Sequence, residues 1–194
     1  MNDTNDLVLR AMRLAEKAHR TREAGSHFRK GPGSVDKPSY FLHLTEVAWM
    51  LQDAGYAASV VAAGYLHDVI EDCDYTREML AAEIANERVV SLVCAVTEPG
   101  MHQTWEERNA AYFKNIRNSA EDVLALSCAD KASNLNDMNR LNAEGHAVGA
   151  FTNRGHSSQL GKFVSLDRVY RGKVAESIYT RFRVALNTFE SSGY

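Results

Sequence analysis

Residues 58–72 of this 194-residue chain read ASVVAAGYLHDVIED, an apolar run that ends in one histidine and three acids. The segment VVAAGYL is apolar on every side of a helix, which is the pattern of a helix buried in a protein core. Residues four apart align on a helix, so His67 and Glu71 share one face, as do Asp68 and Asp72. We therefore predict one buried helix here, with a polar cluster at its end.

This polar cluster needs a compensating positive charge. Burying ionised carboxylates without partners costs several kcal/mol, and like charges four apart on a helix repel each other. A divalent metal ion would compensate this negative charge, because neutral imidazole and carboxylate are its natural ligands. His43, near the start of the preceding helix, and Asp130, at the end of the apolar run LSCA, can complete a set with His67 and Asp68. Two nitrogen and two oxygen donors with open positions suit Mn, Fe or Mg better than a closed structural zinc site.

Each of these residues also has an ordinary structural explanation when taken alone. A single inward-facing histidine is more often a core residue than a ligand. The acids at the helix end could be solvated, and Asp130 could pair with an arginine. The metal site is favoured by the order of all four: a histidine, a histidine followed directly by an aspartate, and a distant aspartate.

Helical periodicity dominates the chain, and we find no strand alternation or hairpin turn. The sequence therefore predicts a compact all-α bundle of about eight to ten helices in a single domain, residues 1–194. Predicted helices cover residues 7–24, 40–54, 58–71, 88–97, 104–118, 119–136 and a long tail at 159–190, with a further helix opening at Thr76. Thr76, Thr104 and Ser119 are the predicted N-caps, and residues 25–38 and 141–158 are predicted loops.

The composition of the chain indicates which binding partners and which cellular compartment to expect. A formal charge of −3 and a pI of about 6.2 argue against a nucleic-acid-binding or membrane-surface protein. Cys73, Cys94 and Cys128 form no CxxC pair, which is typical of reduced thiols, and we find no signal peptide or membrane-spanning run, so we expect a cytoplasmic protein. A small anionic substrate is compatible with this net charge. Whether the protein forms a homo-oligomer is left open by the sequence.

Several motifs together resemble a known family. They are His19, Arg29-Lys30, the run PSYFLH that ends at His43, LHDVIED at residues 66–72, Val96-Thr97-Glu98, Arg108 and ADKASNL at residues 129–135. The pattern resembles the HD superfamily of metal-dependent phosphohydrolases. It is more narrowly similar to the hydrolase domain of the Rel/Spo alarmone enzymes and their stand-alone small hydrolases. The motifs span roughly residues 10–140, with a helical extension over residues 159–190.

The resemblance implies a role for each matching residue. The implied ligands of one Mn²⁺ ion are His43, His67, Asp68 and Asp130. The acidic pair that orients and deprotonates the attacking water corresponds to Glu71 and Asp72. The implied substrate contacts are Arg29 and Lys30 at the base and phosphates and Asn134 at the sugar. Asn134 could instead make a helix-ending hydrogen bond, and Lys131 could be an ion-pair partner of the acidic cluster. Ser39 separates a proline and a tyrosine that are adjacent in the family, and Trp105 stands where some relatives have a lysine.

Three functional hypotheses follow from this resemblance. The first is Mn²⁺-dependent removal of the 3′-pyrophosphate from a nucleotide such as ppGpp or ppApp. The second keeps the site but changes the substrate to another nucleotide, for example the 2′-phosphate of NADPH or a nucleoside phosphate. The third is a non-catalytic nucleotide sensor, against which the intact acidic pair argues. We expect a chain with a hydrolase domain and no synthetase domain.

Overall fold

The computed structural model describes residues 3–20, 28–29, 31, 37–98, 103–152 and 154–192. These residues form ten α-helices and one short 3₁₀ turn, Val148–Ala150. The helices are α1 Asp3–Arg20, α2 Tyr40–Asp53, α3 Ala58–Leu66, α4 Val69–Asp72, α5 Arg77–Ile84, α6 Glu87–Val96, α7 Trp105–Ile116, α8 Glu121–Ala143, α9 His156–Tyr170 and α10 Glu176–Ser191. The β-structure of the described ranges is a single bridge between Phe28 and Ser39. The all-α prediction is confirmed.

Helix α3 lies at the centre, packed against α1, α2, α6 and α8. Six of its nine residues are buried, as the apolar run predicted. Gly64 allows α2 to approach closely, since a Cβ there would lie 2.9 Å from Leu51 Cδ1 and 3.0 Å from Ala48 Cα. Because α2 carries His43 and α3 leads into His67, this close packing sets the distance between the two histidines.

Helix α8 is the second buried helix, and α10 and α2 pack on it. Large aromatic side chains from the last two helices complete the core around it: Phe163, Tyr170, Phe182 and Phe189, each at most 2% exposed. Within the described ranges, no helix has the length and apolarity that crossing a bilayer requires.

The prediction of one continuous helix over residues 58–71 is wrong. Helix α3 ends at Leu66, and Asp68 (φ −99°, ψ −1°) separates it from the short helix α4. Neighbouring side chains on a continuous helix point in directions about 100° apart. The interruption instead lets the consecutive side chains of His67 and Asp68 reach the same point, with Nε2 and Oδ2 3.1 Å apart.

The predicted tail helix over residues 159–190 is also wrong, because the chain forms two helices there, α9 and α10. Gly172 adopts φ +68°, a conformation that glycine accepts without steric cost, and it turns the chain back onto the core. The predicted loop 141–158 is shorter than expected, since α8 runs to Ala143 and a 3₁₀ turn follows.

The predicted caps had mixed outcomes. Thr76 and Thr104 cap α5 and α7, and Thr104 forms a capping box with Glu107. Ser119 is not a cap, because α8 begins one residue later with Ala120 at the N-cap position. Residues 21–24 of the first predicted helix and most of the predicted loop 25–38 lie outside the described residues.

Candidate metal centre and substrate pocket

Four side chains meet at one end of the helical core. His43 Nε2 lies 3.2 Å from His67 Nε2 and 3.5 Å from both Asp68 Oδ2 and Asp130 Oδ1. His67 Nε2 lies 3.7 Å from Asp130 Oδ1. Two donors bound to one ion at about 2.1 Å can be at most about 4.2 Å apart, and the distances among His43, His67 and Asp130 meet this limit, so these three can share one ion. Asp68 Oδ2 lies close to both histidine Nε2 atoms. The four residues come from α2, the α3–α4 junction and α8.

The outer nitrogens of both histidines are bound in a way that defines their protonation. Ser133 Oγ donates its proton to Glu46 Oε2 at 2.6 Å, so it accepts from His43 Nδ1 at 2.8 Å. His67 Nδ1 donates to the carbonyl oxygen of Gly64 at 2.9 Å. In each neutral ring the proton therefore lies on Nδ1, and the two Nε2 lone pairs face each other. Such an arrangement needs a cation between them, and the residues fit a divalent metal.

The charges around these histidines support the same conclusion. Burial lowers the pKa of His67, but the carboxylates of Asp68 and Asp130 outweigh it and hold this pKa well above its usual value. Burial raises the pKa of Asp130, but Lys131 and His67 outweigh it and lower the net value. The carboxylates of half-buried Asp68 and buried Asp130 thus favour positive charge at the Nε2 atoms, and a divalent ion there would supply it.

Asp130 is held by its neighbours along α8. Lys131 Nζ lies 2.6 Å from Asp130 Oδ2, so the predicted ion pair with the acidic cluster is present. Asn134 Nδ2 donates to Asp130 Oδ1, and Asn134 Oδ1 accepts from Arg29 Nη2 at 2.9 Å. Asn134 lies in the middle of α8, so the alternative of a helix-ending hydrogen bond is wrong. Its contact with a sugar stays a prediction.

Glu71 lies beside the metal centre and is held by a backbone donor. Its Oε1 accepts from the N–H of Glu98 at 2.5 Å. Burial and the negative charge of Asp68 raise the pKa of Glu71 to about 8, against the lowering by the Glu98 N–H and Lys131. A carboxyl group with a pKa near neutrality is suited to general base catalysis. Asp72, its predicted partner, lines the same pocket.

The metal centre opens into a pocket of about 930 Å³, large enough for a nucleotide. Among the residues that the structure describes, five cationic side chains line it: Arg29, Lys37, Arg108, Lys131 and Lys162. Arg29 is 9% exposed, and its guanidinium lies over the Tyr40 ring and pairs with Asp137 at 3.2 Å. Lys30, the other predicted base contact, lies outside the described residues.

Comparisons with known proteins agree with this geometry. A family model described as HD domain matches residues 11–152. The chain belongs to the HD domain family. The chain is 32% identical over 110 residues to a probable guanosine-3′,5′-bis(diphosphate) 3′-pyrophosphohydrolase of Synechocystis and 35% identical over 101 residues to that enzyme of Aquifex aeolicus. These matches cover 54% and 51% of this chain but only 14% of each relative.

Solved structures show the same fold over most of the chain. A metazoan ortholog of SpoT that hydrolyzes ppGpp superposes with a TM-score of 0.73 and 22% identity, covering 93% of this chain and 94% of that one. The protein lmo0812 of Listeria monocytogenes superposes with a TM-score of 0.68 and 28% identity, covering 82% of this chain and 100% of its own.

Two features of this HD domain site were missed by sequence reasoning. Tyr40, which donates from its hydroxyl to Asp68 Oδ2 at 2.6 Å, lies three residues before His43, and that helical spacing could have identified it. Lys162 lies on α9, beyond residues 11–152, and no motif indicated that it would line the pocket.

Proposed function

We propose that this HD domain removes the 3′-pyrophosphate from an alarmone nucleotide of the ppGpp or ppApp type, releasing pyrophosphate and the parent nucleotide. One observation carries the proposal: the Nε2 atoms of two histidines lie beside two carboxylates, at a pocket whose walls bear cationic side chains. The names of the relatives from Synechocystis and Aquifex support this choice of substrate.

The proposed cofactor is one Mn²⁺ ion held by His43, His67, Asp68 and Asp130. When bound, such an ion makes water a stronger acid and withdraws charge from a phosphoryl oxygen. The hydrogen bonds of the two Nδ1 atoms keep both imidazoles oriented with Nε2 towards the ion. Tyr40 orients Asp68 in the same way.

The proposed general base is Glu71, with Asp72 beside it. The Glu98 N–H holds Oε1 of Glu71, which leaves Oε2 to accept the proton of the attacking water. Positioned proton transfer of this kind contributes about 10²- to 10⁴-fold to the rate. A nucleotide sensor would not need such a carboxylate.

The proposed substrate contacts lie on the wall beside Asn134. Arg29 presents a guanidinium that can stack on a purine base or pair with phosphate. Its present hydrogen bonds to Asn134 and Asp137 keep the guanidinium at the wall of the pocket. Lys30 and Asn134 would bind phosphate and sugar.

Two cysteines support a proposed cytoplasmic location. Cys94 is half-buried and Cys128 is buried, and neither forms a disulfide. Unpaired thiols of this kind persist in a reducing compartment.

The test is a substrate panel with chromatographic separation of products. The purified chain would be incubated with Mn²⁺ and ppGpp, ppApp, NADPH or simple nucleoside phosphates, and again with Mg²⁺ or Zn²⁺. Pyrophosphate released from ppGpp or ppApp, and blocked by EDTA, would support the proposal and identify the preferred base. Phosphate released from NADPH or a nucleoside phosphate alone would overturn the substrate but keep the site.

A further inference from the structure

Glu98 connects the proposed base to two cations. It follows Thr97, the C-cap residue of α6, and its backbone N–H donates to Glu71 Oε1. Its carboxylate lies 3.1 Å from Lys162 Nζ and 3.7 Å from Arg108 Nε. Arg108 also donates to the carbonyl oxygen of Gln103 at 3.1 Å. The side chain of Glu98 is therefore fastened on two sides, at the residue whose N–H holds the base.

Lys162 reaches this point from a part of the chain that the HD domain match does not include. It lies on α9, its side chain is only 16% exposed, and its Nζ lies 5.9 Å from the centre of the Tyr112 ring. Lys131 contacts the same ring from 4.9 Å. Placing two ammonium groups beside one aromatic ring is costly unless a nearby anion balances them, and Glu98 is such an anion.

Stabilisation of the fold is a weak explanation for this ion pair. Removing two charges from water offsets much of their mutual attraction, so a mostly buried pair adds little net stability. Its geometric effect is larger, because a carboxylate fastened to Lys162 and Arg108 cannot rotate freely. The backbone of Glu98 is thereby held in the orientation that donates to Glu71.

We propose that Lys162 is a positioning residue for the base Glu71 and acts by fastening Glu98. This inference rests on the proposed function for the role of Glu71. It adds to that function a residue of the C-terminal helices, which completes the site from outside residues 11–152. The rival role for Lys162 is direct contact with a substrate phosphate, since it also lines the pocket.

Steady-state kinetics of Lys162→Met separate the two roles. Positioning predicts that kcat falls about 10- to 100-fold, because a small misplacement of a reacting group costs that much, while KM changes less than about threefold. Lys162→Arg should restore most of the loss. Lys114→Met, an exposed lysine on α7, is the matched control. A large rise in KM with kcat retained would overturn the proposal in favour of phosphate contact.

A double-mutant cycle tests whether Lys162 acts through Glu98. Glu98→Gln keeps the backbone N–H and removes the charge that both cations contact. If Lys162 acts by way of Glu98, the double variant loses no more activity than Glu98→Gln alone. Losses that multiply would show independent roles and overturn the proposal.

Amide hydrogen exchange gives a readout that needs no activity. The Glu98 N–H should exchange at least about tenfold faster in Lys162→Met than in the wild type or in Lys114→Met, because its hydrogen bond to Glu71 opens more often. Thermal unfolding of each variant would confirm that it is folded. Unchanged protection of the Glu98 amide would overturn the proposal. A wild-type protein that leaves every substrate intact would instead count against the proposed function.

Discussion

At the scale of single residues, the candidate metal centre depends on the Nε2 atoms of His43 and His67, which face each other at 3.2 Å. Hydrogen bonds from the Nδ1 atoms to Ser133 and to the carbonyl oxygen of Gly64 hold the two rings in this orientation. The ligand assignment stays a prediction; the structure groups His43, His67 and Asp130 within reach of one ion and places Asp68 Oδ2 beside both histidines. The role of each residue can therefore be separated by whether its loss removes metal, turnover or both.

His67→Ala should lose bound Mn²⁺ and all measurable pyrophosphate release together, because one of four ligands is gone. Glu71→Gln is the contrasting variant, since it should keep the metal and lose about 10²- to 10⁴-fold in kcat. Metal content after dialysis would be measured by mass spectrometry alongside activity. An active His67→Ala protein without metal would remove His67 from the proposed site.

Glu71 also makes a prediction about stability in EDTA. Its folded pKa of about 8 lies above the ordinary value of 4.5, so the unfolded chain releases this proton first as pH rises. The metal-free protein should therefore lose stability between about pH 4.5 and pH 8. Glu71→Gln should raise the free energy of unfolding in EDTA at pH 8 by an amount on the order of 2 kcal/mol, and much less at pH 5, as measured by urea unfolding. Equal pH dependence in both proteins would contradict this assignment.

At the scale of helices, the site depends on how closely α2 and α3 approach. Gly64 has no room for a Cβ against Leu51 and the backbone of Ala48. Gly161 on α9 offers a matched comparison, because a Cβ there would contact nothing within 4 Å. The two glycines lie inside helices of the same protein, and their surroundings differ.

Gly64→Ala should destabilise the protein by about 1–3 kcal/mol and weaken Mn²⁺ binding, because α3 must move away from α2 and separate the two histidines. Gly161→Ala should be neutral or stabilise by up to about 1 kcal/mol through helix propensity. Urea unfolding and metal titration of both variants check this. A Gly64→Ala protein as stable as the wild type would show that the helices can adjust.

At the scale of the whole molecule, the HD domain match and the folded core cover different ranges of residues. The family model ends at residue 152, whereas the core includes buried aromatic side chains from α9 and α10. Phe182 and Phe189 are fully buried, and α10 packs along α8, which carries Asp130. The site therefore depends on helices that lie beyond the family match.

A chain of residues 1–152 should fail to fold cooperatively, because it exposes the surface of α8 that these aromatic residues cover. Circular dichroism during urea unfolding should show a broad transition and a weak near-ultraviolet signal. A chain of residues 1–192 is the control and should unfold in one sharp transition. A cooperative transition in the shorter chain would show that α9 and α10 are dispensable for folding.

Local patterns in the chain were enough to predict much of this molecule. The apolar run before His67 indicated a buried helix, and the predicted helix over residues 40–54 corresponds to α2. The predictions failed where the cause was not local. Nothing in LHDVIED indicates that the helix stops at Leu66, since the break is stabilised by contacts with α2 and α8.

The sequence by itself determined the all-α class, two of the three predicted caps and the side chains that can bind a metal, because helix periodicity and ligand chemistry are local properties. Only the tertiary structure decided how those side chains converge, which outer hydrogen bonds orient them, and that Lys162 reaches Glu98 from 64 residues away. Such contacts depend on packing between helices that are distant in the sequence, so they cannot be predicted from residue spacing along the chain.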